Sequence, residues 1–160
     1  MEGVTSFSKV INEMELNNLE TSLKDLNLNP LDSLFNSIDF DEFEHVLYRL
    51  AYNPENGDVN FFIYTYMLRL LGGKEDDWRI HLSISRLMGG ILNHIDGCEL
   101  IGLYHAKEAG KLKPMDSDIL EIILYYNHIP EKILSDEEAM VYSQKLLMVK
   151  PDSDIARRDI

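Results

Sequence analysis

Between Trp78 and Pro151 the chain repeats a spacing of small residues that suits few folds. Gly102, Ala106 and Ala109 stand at intervals that put them on one face of a helix, and Pro114 follows. The same frame recurs at Ala139, Ser143, Leu146 and Pro151. Gly102 to Ala139 and Pro114 to Pro151 are both shifts of 37 residues. Small side chains on one helix face let a partner helix cross closely. A repeat of this length points to stacked helical hairpins, an architecture used for binding.

The remaining apolar residues also recur at helical intervals. Over 5–28, Phe7, Val10, Ile11 and Met14, then Leu16, Leu19, Leu23 and Leu26, mark an amphipathic helix with a break near Asn17-Asn18. After a turn at 27–30, Asn29 is placed to cap a short helix carrying Leu31, Leu34, Phe35 and Ile38. Pro30 sits at its first position, where no amide donor is needed. Asp39 with Glu42 makes a capping box for a third helix, whose stripe is Phe43, Val46, Leu47, Leu50 and Ala51. The turn at 53–57 leads to Asp58, expected to cap a fourth helix over 59–71. That helix is apolar on nearly all sides, which predicts a central place in the stack, and Gly72-Gly73 ends it.

The fifth helix is expected from 77 to about 95, with Ile80, Ile84, Leu87, Met88, Ile91, Leu92 and Ile95 on one face. Gly89-Gly90 inside it costs about 1 kcal/mol per glycine. A close helix crossing at Gly90 is the expected compensation. The sixth helix covers 98–113. Ser117 opens the seventh, which Ile129-Pro130 closes, and a capping box of Ser135 and Glu138 opens the eighth, 136–149. Pro151 and the polar tail after it are expected to fray. No alternating run is long enough for a strand. The chain therefore reads as all-α, about eight helices in stacked antiparallel hairpins. A single domain is expected, with N-terminal helices over 5–38, hairpins over 39–73, 77–113 and 117–150, and a polar tail over 151–160.

A chain of 160 residues can bury a sizeable core in one domain. Its net charge of −13 repels phosphate backbones, which argues against nucleic acid as a direct partner. It favours association with basic partners; the plain alternative is solubility alone. One cysteine, Cys98, rules out an internal disulfide and fits a reducing compartment. The N-terminus Met-Glu-Gly-Val-Thr lacks a basic flank and an apolar signal core, and the most apolar run, 61–71, is too short to span a bilayer. These features predict a cytoplasmic protein that does not enter a membrane.

On the residues Gly90, Gly102, Ala106, Ala109 and Pro114, then Ala139 and Pro151, the stretch 78–151 resembles two degenerate tetratricopeptide units. The resemblance implies an α-α superhelix. Ser143 and Leu146 depart from the family's aromatic or small residues, and Leu124 stands where glycine is usual. More loosely, the run from Trp78 through 102–106 to Pro114, with 129–139, is similar to small acidic all-α immunity proteins of bacterial toxin systems. That resemblance implies a protein that binds and neutralises a cognate toxin inside the producing cell. A basic nuclease is the toxin its charge would suit. An adaptor or regulator holding a peptide in a helical groove is the alternative, and it needs a concave face lined by polar residues such as Asn93, Lys107 and Asn127.

No catalytic motif stands in the chain, so neither an enzyme nor a cofactor is expected. His81, His94, Asp96, Cys98 and His105 are ligand types that zinc accepts, but their spacing matches no compact metal motif, and no metal is expected. Cys98 opens a helix with histidines nearby, yet a lone cysteine in a helical stack is ordinarily packing. Tyr48, Tyr52, Tyr64, Tyr66, Tyr104, Tyr125 and Tyr126 either line a groove or sit at the core edge with their hydroxyls in water.

Three acidic clusters remain. They are Asp39, Asp41, Glu42 and Glu44; Glu75, Asp76 and Asp77, followed by Trp78; and Asp136, Glu137 and Glu138. Each stands at a helix start, where the helix dipole alone favours carboxylates. If the starts share one edge of the stack, they form an acidic rim for a basic partner. Trp78 beside it suits an interface anchor and, equally, the core residue of its repeat.

Overall fold

A computed structural model describes residues 11–72 and 77–158. Among the described residues the protein is all-α, with nine α-helices, one π-helical turn and no β-strand. Contacts divide it into two compact units, Met1–Ile63 and Tyr64–Ile160. The boundary falls inside the fourth helix. No helix among the described residues is long and apolar enough to cross a membrane.

The first unit holds α1 (Glu13–Lys24), α2 (Asn29–Phe35) and α3 (Phe40–Ala51). Phe7 and Val10 lie outside the described residues. Asn12 caps α1 reciprocally: its side chain accepts from the Glu15 amide, and the Glu15 carboxylate accepts from the Asn12 amide, both at 2.9 Å. The helix runs unbroken through Asn17-Asn18. Both asparagines are exposed, so they leave the buried stripe of Leu16, Leu19 and Leu23 intact. Asn29 lies inside α2 and is not its cap; the side chain of Asn27 accepts from its amide at 3.3 Å. Asp39 does cap α3, accepting from the Glu42 amide at 3.0 Å, and the expected apolar stripe of α3 is buried.

The fourth helix, α4 (Phe62–Leu71), starts later than the sequence suggests. An isolated antiparallel bridge between Tyr52 and Val59 holds residues 58–60 extended, so Asn60 takes the capping place expected of Asp58. Its side chain accepts from the Phe62 amide at 3.2 Å. α4 buries Ile63, Tyr66 and Met67 but exposes Thr65, Leu68 and Arg69. It is one-sided, not the all-round core helix its composition suggests.

The second unit continues with α5 (Trp78–Arg86), a π turn (Leu87–Ile91), α6 (Cys98–Leu112), α7 (Ser117–His128), α8 (Asp136–Val149) and α9 (Asp154–Arg157). Successive helices from α5 to α8 run antiparallel. Lys113, just past α6, lies over the Trp78 ring at the start of α5. Gly110 near the end of α6 meets Ile119 and Ile123 early in α7. Lys150, just past α8, pairs with Glu121 early in α7. Between them lies a core that includes Leu82, Ala106, Ile119, Ile123, Leu134 and Leu146. Asp116, one residue before the expected Ser117, caps α7 by accepting from the amides of Asp118 and Ile119. Ser135 caps α8 by accepting from the Glu138 amide, while the Glu138 carboxylate bonds Lys107 and does not close the expected capping box.

Two further expectations fail for physical reasons. The residues after Pro151 do not simply fray: Ser153 caps the short α9, and Ala156 is fully buried against the α7–α8 core. The fifth helix is not regular to 95. At Leu87–Ile91 it widens, and the Leu92 amide reaches back to the Leu87 carbonyl at 2.8 Å. A π turn adds a residue to the turn and shifts every later position on the helix face. Gly89, and not Gly90, therefore meets the partner helix; a Cβ on Gly90 would find nothing within 4 Å.

Candidate functional site

A close helix crossing in the second unit is built around one tyrosine. Tyr126 of α7 is buried, and its hydroxyl donates to the Ser85 carbonyl at 2.9 Å, with the Ser85 hydroxyl 2.8 Å away. The hydroxyl fits because Gly89 and Gly102 have no side chains. A Cβ on either would overlap the Tyr126 oxygen, and one on Gly102 would also come within 3.1 Å of the Gly89 backbone nitrogen. Burial pushes the Tyr126 phenol well above its usual range, so it stays protonated and acts as a donor. Next to it, the Tyr125 hydroxyl donates to the Gly89 carbonyl at 2.7 Å. The seam ties α5, the π turn, α6 and α7 together.

A second buried polar contact joins α5 to α6. His81 Nδ1 and His105 Nδ1 are 2.7 Å apart, so one ring must donate to the bare nitrogen of the other. Burial and then the neighbouring His81 lower the pKa of His105 to about 4. Tyr64 of α4 lies 3.4 Å from His105 Nε2. The Cys98 thiol nearby is buried, and burial followed by the charge of Glu99 pushes its pKa up, away from the reactive thiolate. His94 and Asp96 are exposed, so the five zinc-type side chains do not converge. Among the described residues no group of three or more His, Cys, Asp or Glu is placed to hold a metal ion.

The tyrosines divide between environments. Tyr66 and Tyr126 are buried, Tyr48, Tyr52 and Tyr64 are half-buried, and Tyr104 and Tyr125 are exposed. Asn127 is buried too, donating to the Leu134 carbonyl and to Asp136, so it lines no groove.

The acidic residues have separate local roles. In the first unit Asp39 is a helix cap, and Glu44 is buried, accepting from the Tyr48 hydroxyl at 2.6 Å. Asp41 is exposed and Glu42 half-exposed. Glu75 and Asp76 lie outside the described residues. Asp77 caps α5, and the Arg79 guanidinium bonded to it holds its carboxyl below the usual range. Trp78 is half-buried, packed against the core, with Lys113 Nζ 4.1 Å from its ring centre.

Asp77 and Asp136 do not share an edge. The antiparallel order puts the start of α5 beside the end of α6, while the start of α8 lies beside the end of α7, where Asn127 bonds Asp136. The two acidic starts thus sit at opposite ends of their unit. α5 and α8 are separated by two helices, so the up-down order points their starts in opposite directions.

What the sequence reading missed is the outer face of α8. This helix buries only Ala139, Ser143 and Leu146. Met140, Val141 and Met148 are exposed, Met148 at 76%. Directly before them stand Asp136, Glu137 and Glu138, all exposed. Asp136 pairs with Lys132, and Glu138 bridges to Lys107 of α6 at 2.7 Å. Glu137 makes no ion pair among the described residues. The signal was available: Met140, Val141 and Met148 fall outside the small-residue frame that defines the buried face of α8. Comparison with family models, curated proteins and solved structures gives no match to this chain.

Proposed function

We propose that this chain is an immunity protein that binds and neutralises a basic toxin, of the nuclease type, in the cytoplasm of a bacterium. The supporting observation is the outer face of α8, where exposed Met140, Val141 and Met148 follow an exposed acidic start on a chain of net charge −13. Apolar anchors beside charge give a surface both affinity and steering. The ion pairs of Asp136 and Glu138 are at the surface and worth little, so a partner's arginines and lysines can replace Lys132 and Lys107 at small cost. Residues 78–151 serve as two degenerate tetratricopeptide-like units that display this helix, a reading supported by the buried small residues Gly102, Ala106 and Ala109.

The test is growth protection. Host cells producing the toxin encoded beside this gene should survive when the chain is present. Glu137→Lys combined with Val141→Ser and Met148→Ser should remove protection while leaving the melting temperature unchanged. Absence of protection by the parent chain against any neighbouring gene product would overturn the reading.

A further inference from the structure

We infer that the first unit carries a second, independent docking site: a trough between α1 and α2 that takes a short basic amphipathic helix. The trough has a volume of about 750 Å³, and the described residues that line it fall within 11–38. Ile11 and Leu19 line it from the α1 side, Leu34 and Ile38 from the α2 side. Ile11 and Leu19 are buried, while Leu34 and Ile38 remain half-exposed along it.

Among the described residues that line it stand two carboxylates, Glu15 and Asp25, and no lysine or arginine. They are ten residues apart on α1, which spans about 15 Å, or roughly three turns of a partner helix. Glu15 is engaged in the α1 cap. Asp25 is not: its carboxylate has no partner among the described residues. Asp25 is also the C-cap of α1, where the helix dipole disfavours an anion. Its sequence neighbour Lys24 belongs to a different hollow, shared with Glu20 and Arg49. A cation arriving with a ligand would therefore relieve an unfavourably placed charge.

These features select the occupant. Apolar residues spaced along one face of a helix would fill the trough, and a lysine or arginine at one end would meet Asp25. This is the helix-in-groove mode of recognition. A neutral apolar molecule would leave Asp25 unanswered, and an acidic segment would be repelled.

The experiment uses the full chain and a fluorescent synthetic peptide of about three helical turns. The peptide carries leucines on one face and lysines at its ends. Saturable binding is expected, with amide chemical-shift changes centred on Leu19, Leu34 and Ile38. Asn18→Arg and Ser33→Trp, both at exposed lining positions, should each weaken binding by about tenfold by filling the trough. Asp25→Lys should weaken it and flatten its salt dependence. A peptide with glutamates in place of the lysines, or with its leucines scrambled off one face, should not bind. Three results would overturn the inference: no binding, equal binding of the scrambled peptide, or a self-association of the chain that the trough variants abolish. No toxin enters this assay, so its outcome is separate from that of the protection test.

Discussion

Helices meet differently in the two units, and the difference lies in side-chain volume at equal periodicity. Where α5, α6 and α7 cross, Gly89 and Gly102 admit the Tyr126 hydroxyl, and Ala106 and Ala109 are fully buried. Where α1 and α2 meet, Leu19, Leu34 and Ile38 stand on facing surfaces without a glycine among them, and a trough of about 750 Å³ remains. Both regions have regular amphipathic patterns. The pattern decides that helices form and which side is buried; the residues on that side decide how close the helices come. Closeness then separates two uses, a rigid seam in one unit and an open recess in the other.

The sharpest way to break this contrast is to add volume to each region. Gly102→Leu and Ala106→Leu should destabilise the fold strongly, because overpacking a well-filled site typically costs about 1–3 kcal/mol, and Gly102 faces the rigid end of Tyr126. Ser33→Leu, at an exposed position lining the trough, should be neutral or slightly stabilising. Thermal and urea melts measure all three. Unchanged melting for Gly102→Leu would remove the seam from the account. Tyr126→Phe in the background of Gly102→Ala should recover only part of the loss, since the ring carbon bearing the hydroxyl would still be 2.9 Å from the new Cβ.

A smaller, graded effect comes from the histidine pair. The unfolded chain takes up a proton on His105 near pH 6.5, whereas the folded chain holds its pKa at about 4. Below 6.5 the unfolded state thus binds more protons, so this contribution is complete above pH 6.5 and is lost as pH falls towards 4. Tyr64 from α4, His81 from α5 and Glu108 from α6 are the other groups that bear on it. Urea midpoints measured from pH 7.5 down to 4.5 should fall, and His105→Asn should flatten that fall. Parallel curves for the two proteins would show that the pair is not what titrates.

How much of this was legible follows from what each feature depends on. The helices α3, α7 and α8, their buried stripes and the caps at Asp39 and Ser135 depend on local spacing, and the sequence shows them, whereas α1 runs without the expected break and leaves Met14 and Leu26 of its expected stripe exposed. Gly102, Ala106 and Ala109 announce a close crossing for the same reason. The π turn does not announce itself, so the sequence frame picks Gly90 where the chain uses Gly89. The start of α4 at Phe62 depends on a bridge from Tyr52 to Val59, a contact across a loop. The acidic rim fails on direction: whether Asp77 and Asp136 share an edge depends on counting every helix between them. The trough beside Asp25 depends on how far apart two helices settle, which no local pattern carries.

The smallest expected effect on stability is also the most direct probe of the partner surface. Val141→Ser and Met148→Ser lie on the exposed side of α8, so each should change the folding free energy by no more than about 0.5 kcal/mol. Ser143→Leu, one turn from Met140 but fully buried, should by contrast cost about 1–3 kcal/mol through overpacking. The contrast within one helix repeats, at shorter range, the contrast between the two units. If α8 displays its apolar side chains for a basic partner, the serine variants should speed dissociation from the toxin, because anchors act mainly on the lifetime of a complex. Glu137→Lys should instead slow association at low salt and have little effect at high salt, where screening shortens the reach of charge to about 3 Å at 1 M. Stopped-flow association and dissociation rates, beside melts of the same variants, separate these terms. Serine variants that melt normally and dissociate at the parent rate would show that the exposed methionines and valine of α8 are ordinary surface residues, and the partner face would have to be sought elsewhere.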